Sequence, residues 1–179
     1  IYLIYLGEFM QEKLHLNYHP GTDPKSFKAK IVNIEDNYLM FDNSYCFPRG
    51  GGQPGDTGTI KIGHLEEKLL ETFKHPVDSV EHFNLGDSIT CIIDKLNRNR
   101  NAKMHTTQHI VSALAYDIFG AETVGNQIGP EYTRIDLKFP DRDKFNVEEL
   151  ESTFNEILST KAPVNVYDWN RNTILSHEK

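Results

Sequence analysis

The sequence predicts an α+β fold in which a small strand-rich domain precedes a domain of helices packed on an antiparallel sheet. Three observations carry this. The first half is a series of short β-prone runs separated by turn residues, the second half opens with a helical stripe of apolar residues, and a strictly alternating strand follows that helix. With 179 residues, 38% of them hydrophobic, the chain suffices for one sizeable domain or two small ones, each burying a core. No segment is biased enough to read as disordered, and no internal repeat is present.

Taken in order, Ile1 to Leu6 reads as an opening strand, since its apolar run is too short for a membrane span or for the apolar core of a signal peptide. Phe27 to Ile34, Tyr38 to Asp42, Gly58 to Ile62 and Ser88 to Ile93 are the next strands. Asp36-Asn37, the glycines at 50 to 52 and Gly86-Asp87 punctuate them, a pattern that suits a small barrel or a sandwich. From Asn101 as N-cap, a helix to Phe119 places Ile110, Val111, Leu114, Ala115 and Ile118 on one stripe, and Gly120 closes it. In Thr133 to Phe139, Ile135, Leu137 and Phe139 alternate with Arg134, Asp136 and Lys138, as a half-buried strand requires, and Pro140 stops the run. Asn146 opens a second helix, with Glu149 in a capping-box arrangement and Val147, Leu150, Phe154, Ile157 and Leu158 as its apolar stripe. The polar segment 94–100 marks the boundary, giving domains 1–94 and 95–179.

Cys46 and Cys91 stand far apart and form no C-x-x-C motif, so no disulfide framework is expected and a reducing cytoplasm is the default compartment. The net charge of −7 excludes binding of nucleic acid by bulk positive charge. Any such binding must rest on a local basic patch, for which Lys95, Arg98, Arg100 and Lys103 are the candidates.

Two motifs carry chemistry. His105 and His109 stand four residues apart on the expected helix, one turn apart on one face, which suits capture of a single metal ion. Zinc is favoured because neutral imidazole is a borderline ligand. Thr106 occupies the position where a zincin protease needs its glutamate, which argues against a protease. The second motif runs from Phe47 to Gly58. Gly50, Gly51 and Gly52 permit positive φ and close backbone approach, and with Arg49 and Gln53 they form a loop whose amides could bind a phosphate, or else a tight connection between strands.

In this order, Phe47 to Gly58, His105-Thr-Thr-Gln-His109, Gly125-Asn-Gln-Ile-Gly129 and Thr133-Arg-Ile-Asp136 resemble the AlaX family of free-standing alanyl-tRNA editing proteins, relatives of the editing domain of alanyl-tRNA synthetase. The glycine-rich segment makes the chain similar to the medium-length members.

The resemblance implies a small β-barrel N-domain joined to an α+β editing domain with helices on an antiparallel sheet. It implies a trans-editing, zinc-dependent aminoacyl-tRNA deacylase acting at the acceptor end of mischarged tRNA(Ala), chiefly seryl-tRNA(Ala) and also glycyl-tRNA(Ala), with no membrane partner. Zinc is held in the family by the helical histidine pair, here His105 and His109, and by a C-x-x-x-H pair that neither Cys46 nor Cys91 begins. The remaining Cys and His ligands are therefore expected beyond Lys179. Gln127 matches a family position lining the editing pocket, and Thr107, Gln127 and Thr133 are candidates to contact the seryl hydroxyl. Arg49, Gly50, Gly51, Gly52, Gln53, Arg98, Arg100 and Lys103 are candidates to contact tRNA. A catalytically inactive tRNA-binding module is the alternative reading.

Overall fold

A computed structural model describes residues 3–6, 9–13, 25–62, 65–69, 74–165 and 170–176. Ile1 and Tyr2 of the expected opening strand, with Trp169 and His177 to Lys179, lie outside the described residues. The chain forms two compact units, Ile1–Phe145 and Asn146–Lys179.

The first unit is built around β3 (Ser26–Glu35), whose alternation buries Phe27, Ala29 and Ile31. Its first half pairs with β9 (Ser88–Ile93) and its second with β4 (Tyr38–Phe41), and the register shifts between Ile31 and Asn33. A long strand that changes partners at a bulge bends, and so curls the sheet it belongs to. Asp36, in the turn after β3, takes φ 52, a left-handed conformation that aspartate tolerates. With β6 (Gly58–Ile62), β7 (Leu65–Leu69) and β8 (His75–Pro76) this makes an antiparallel six-stranded sheet in the order β7-β6-β9-β3-β4-β8. A separate three-stranded sheet joins β1 (Leu3–Leu6), β2 (Phe9–Lys13) and β5 (Asn43–Ser44), with β2 and β5 parallel.

The core on the curled sheet contains Ile31, Leu39, Phe41, Ile60, Ile89, Cys91 and Ile93. His75 is sealed into it, 1% exposed, with its ring stacked on Phe41 at 4.0 Å. Its Nδ1–H donates to the Leu39 carbonyl (3.2 Å) and Nε2 accepts from the Ser44 hydroxyl (3.0 Å), so the neutral ring is fully partnered. Burial pushes its pKa down to about 4, against a smaller upward pull from the Leu39 carbonyl. Between an unfolded value near 6.5 and this folded value, only the unfolded chain takes up the proton. The stability His75 permits is thus complete above pH 6.5 and is lost as pH falls toward 4, by about 3 kcal/mol. Urea unfolding at pH 7 and near pH 4 should show that a His75→Gln variant loses that much less than the parent; equal acid sensitivity would refute the assignment.

The principal helix, α1, spans Lys95–Phe119 and not Asn101 to Phe119. Asp94 is its N-cap, accepting from the Leu96 and Asn97 amides, so the polar segment 94–100 forms the cap and first turns of the helix. Gly120, at φ 66, ends it as expected. Then come β10 (Glu122–Ile128) and β11 (Thr133–Lys138), an antiparallel hairpin. In the second unit, α2 (Val147–Ser159) starts at Asn146, whose side chain accepts from the Glu149 amide as the capping motif predicts. Val147 and Leu158 of its expected apolar stripe are exposed. A short helix, α3 (Arg171–Ser176), follows.

Candidate functional site

On α1, residues 98, 101, 105, 108 and 112 follow one another at alternating spacings of three and four, and 115 and 119 continue the stripe. Arg98, Asn101, Gln108, Ala115 and Phe119 are buried along it. The inward stripe is therefore polar in its first half and apolar in its second. Of the stripe expected from hydropathy, Leu114 and Ala115 are buried, and Ile110, Val111 and Ile118 are half-buried.

The polar half receives the glycine-rich loop. Asp56, 3% exposed, closes the loop on itself: its amide donates to the Phe47 carbonyl (2.9 Å) and its carboxylate accepts from the Phe47 amide (2.7 Å). The same carboxylate takes Arg98 Nη1 at 2.7 Å. Arg98 also donates to the Tyr45 carbonyl (3.3 Å) and lies over the Phe47 ring, 5.9 Å from its centre. Asn97 Nδ2 donates to Thr57 Oγ1 (2.9 Å), and the Asp94 amide to the Thr57 carbonyl (2.8 Å). Both ends of the loop are thus tied to the first turns of α1.

At the loop's tip, Gly50 and Gln53 exchange both backbone hydrogen bonds (3.1 and 2.9 Å), and Gly51 and Gly52 take φ 58 and 78, the signs a primed β-turn requires. Gly52 is required by space as well. A Cβ there would lie 1.6 Å from Asn126 Oδ1 and 3.0 Å from the Asn126 carbonyl. The Gly52 carbonyl accepts from the Ile128 amide (2.8 Å), which pins the turn to β10.

This turn delivers Gln53, only 4% exposed, to α1, where its Oε1 lies 2.7 Å from His105 Nδ1. The His105 and His109 rings stack, 4.8 Å between centres and 20° between planes, so the pair shares one helix face as the spacing predicts. Burial lowers the pKa of His105, and the neighbouring His109 adds to this, which favours the neutral imidazole a metal needs. Among the described residues no group of three or more His, Cys, Asp or Glu gathers around a point. The cysteines are core residues, Cys46 with its thiol pushed up to about 12 by burial and Cys91 also raised by burial. Thr106, at the protease-base position, is exposed and donates to the Ala102 carbonyl (3.1 Å).

The hairpin faces this site with one side only. Asn126 meets Gly52, and Ile128, two residues on, is buried; Ile128 pairs with Thr133, and Asn126 with Ile135. Thr133 therefore lies on the site's side, and its Oγ1 is buried with no hydrogen-bond partner among the described residues. Gln127 alternates to the other face, exposed and paired with Arg134. Asn126, which the sequence does not single out, is the neighbour that meets Gly52. Thr107 lies two residues from each histidine, a spacing that turns it off their face of the helix.

No protein-family model matches the chain. It is 33% identical over 166 residues to the alanyl-tRNA editing protein AlaX-M of Saccharolobus solfataricus, an alignment covering 88% of this chain and 68% of that protein. The chain belongs to the AlaX family. It is also 32% identical to AlaX-M of Methanosarcina barkeri, over 80% of this chain and 64% of the relative. It is 30% identical to the alanine–tRNA ligase of Methanothermobacter thermautotrophicus, over 89% of this chain and 20% of that longer protein. The chain spans about two thirds of the length of these AlaX-M relatives (68% and 64%).

For an AlaX member, the tRNA-facing residues expected from the sequence divide in two. Arg49, Gly50, Gly51, Arg100 and Lys103 are exposed, and Gly52 is half-buried. Arg98 and Gln53 are buried: the guanidinium side chain is 7% exposed and paired with Asp56, and Gln53 Oε1 lies 2.7 Å from His105 Nδ1. The Gly50 and Gln53 amides are used within the turn, so the anion cradle expected there lacks both.

Proposed function

We propose that this chain is an aminoacyl-tRNA deacylase that cleaves the ester of mischarged tRNA(Ala) in the cytoplasm, chiefly seryl-tRNA(Ala) and also glycyl-tRNA(Ala). The observation that carries the reading is the meeting of the two sequence motifs at one place, through the 2.7 Å bond between Gln53 and His105, in a chain of the AlaX family.

The donor set fits zinc as half of a site. His105 keeps Nε2 without a hydrogen-bond partner among the described residues, His109 stands beside it at the surface, and the Gln53 bond is the outer partner that metal-bound histidines characteristically have. A zinc ion bound there would supply Lewis acidity, either to a water or to the substrate's amino group. The chain's own residues supply the rest. The Thr133 hydroxyl is a buried group awaiting a partner, which serine provides and alanine does not, so alanine would leave it unpaired at a cost of roughly 1–3 kcal/mol. Water is the attacking group in this reading: the Ser44–His75 pair lies sealed in the β core, out of a substrate's reach.

Incubating the protein with seryl-, glycyl- and alanyl-tRNA(Ala) tests this. Release of serine and of glycine with alanine retained is expected; binding of all three without release would make the chain an inactive tRNA-binding module. Charge reading is tested separately. Replacing Arg100 and Lys103 together by Ala should weaken tRNA binding and lower the salt slope by about 1 for each phosphate that is no longer neutralised, without slowing turnover at saturation. An unchanged affinity and salt slope would remove these two residues from the tRNA interface.

A further inference from the structure

We infer that Gln53 is a positioning residue that holds His105 as its Nδ1–H tautomer, so that Nε2 presents its lone pair to the metal. A neutral imidazole carries one N–H, and the neighbour of one nitrogen decides where it sits. Here that neighbour is the Gln53 carbonyl oxygen, 2.7 Å from Nδ1. An acceptor at this distance requires the hydrogen on Nδ1.

The placement of Gln53 is built in from several sides. Its backbone exchanges both hydrogen bonds with Gly50, the two intervening glycines take positive φ, and Gly52 is tied to Ile128. The turn lies so close to the imidazole that a Cβ on Gly51 would sit 3.7 Å from His105 Cε1. With Gln53 buried and His105 partly so, the carboxamide has little freedom to leave the ring. Three glycines therefore serve a position and not only a turn: they bring one amide to the nitrogen of His105 that faces away from a ligand. The same carboxamide turned over would donate to Nδ1, leave the hydrogen on Nε2 and disable that nitrogen as a ligand.

The purpose assigned to the tautomer rests on the zinc reading above, but the tautomer is measurable in metal-free protein. In the ¹⁵N-histidine-labelled protein, long-range ¹H–¹⁵N correlation should show His105 with a protonated Nδ1 and a bare Nε2. Gln53→Glu, which keeps the acceptor, should retain that pattern and bind Zn²⁺ within a few-fold of the parent. Gln53→Leu should shift His105 toward the Nε2–H form and bind Zn²⁺ about 10- to 100-fold more weakly. Circular dichroism and thermal melting would confirm that each variant is folded. A protonated Nε2 in the parent overturns the inference even if the leucine variant fails to fold. So does a folded leucine variant with the parent's spectrum and zinc affinity. A parent with the Nδ1–H pattern that binds no zinc would sink the zinc reading and leave the tautomer assignment standing.

Discussion

His109→Ala is expected to lose deacylation of seryl-tRNA(Ala) by at least about a hundredfold while keeping the parent's stability. Changing an outer partner of a metal ligand costs about 10- to 100-fold, so losing one of two imidazole ligands should cost no less. The side chain is exposed and its ring stacks on His105 at the surface, so its removal opens no cavity and should change stability by no more than roughly 0.5 kcal/mol. His105→Ala should be equally inactive but also less stable, because it strands the buried Gln53 carboxamide. Single-turnover hydrolysis at saturating enzyme, metal content and urea unfolding separate the two effects. Parent-rate hydrolysis by a zinc-free His109→Ala protein would reject the metal reading.

What the sequence makes legible follows from which signals are local. The strands at 58–62 and 88–93 are readable because alternation and flanking turns report on a half-buried sheet, and the Asn146 cap because its partner is three residues away. β10 is not readable: Glu122, Thr123, Gly125, Asn126 and Gln127 show no apolar alternation, and the strand is held by its pairing with β11 and by Gly52. The start of α1 is hidden for a related reason. Hydropathy sees Lys95 to Arg100 as a solvated run, whereas Asp94 caps it and Arg98 is carried into the interior by Asp56, forty-two positions earlier. In the candidate site, the histidine pair is legible because its spacing is local to one helix. The partnership of Gln53 with His105 crosses fifty-two positions and can be anticipated only as two motifs that must meet. The inward placement of Asn126 over Gln127 turns on a strand register that no single residue announces.

Arg98→Ala is expected to destabilise the protein by about 3–5 kcal/mol, the largest effect on stability among these single substitutions, and to leave the tRNA salt slope of the remaining folded protein unchanged. The side chains of Arg98 and Asp56 are 7% and 2% exposed, so removing the guanidinium takes a close cation away from a buried carboxylate. It also removes the donor to the Tyr45 carbonyl and the cation over Phe47. Removing both charges should not restore the parent's stability. In an Arg98→Leu, Asp56→Leu double variant, the Phe47 amide loses the carboxylate that accepts from it and the Tyr45 carbonyl loses Nη1, so the loop gives up two hydrogen bonds that leucine cannot replace. The expected order of stability is parent, double variant, Arg98→Ala, read by urea unfolding at pH 7. An Arg98→Ala protein within about 1 kcal/mol of the parent but weakened in tRNA binding would return Arg98 to the phosphate-reading surface. The expected loss of stability instead assigns this arginine to the fastening of the glycine-rich loop on α1, the attachment on which the position of Gln53 beside His105 depends.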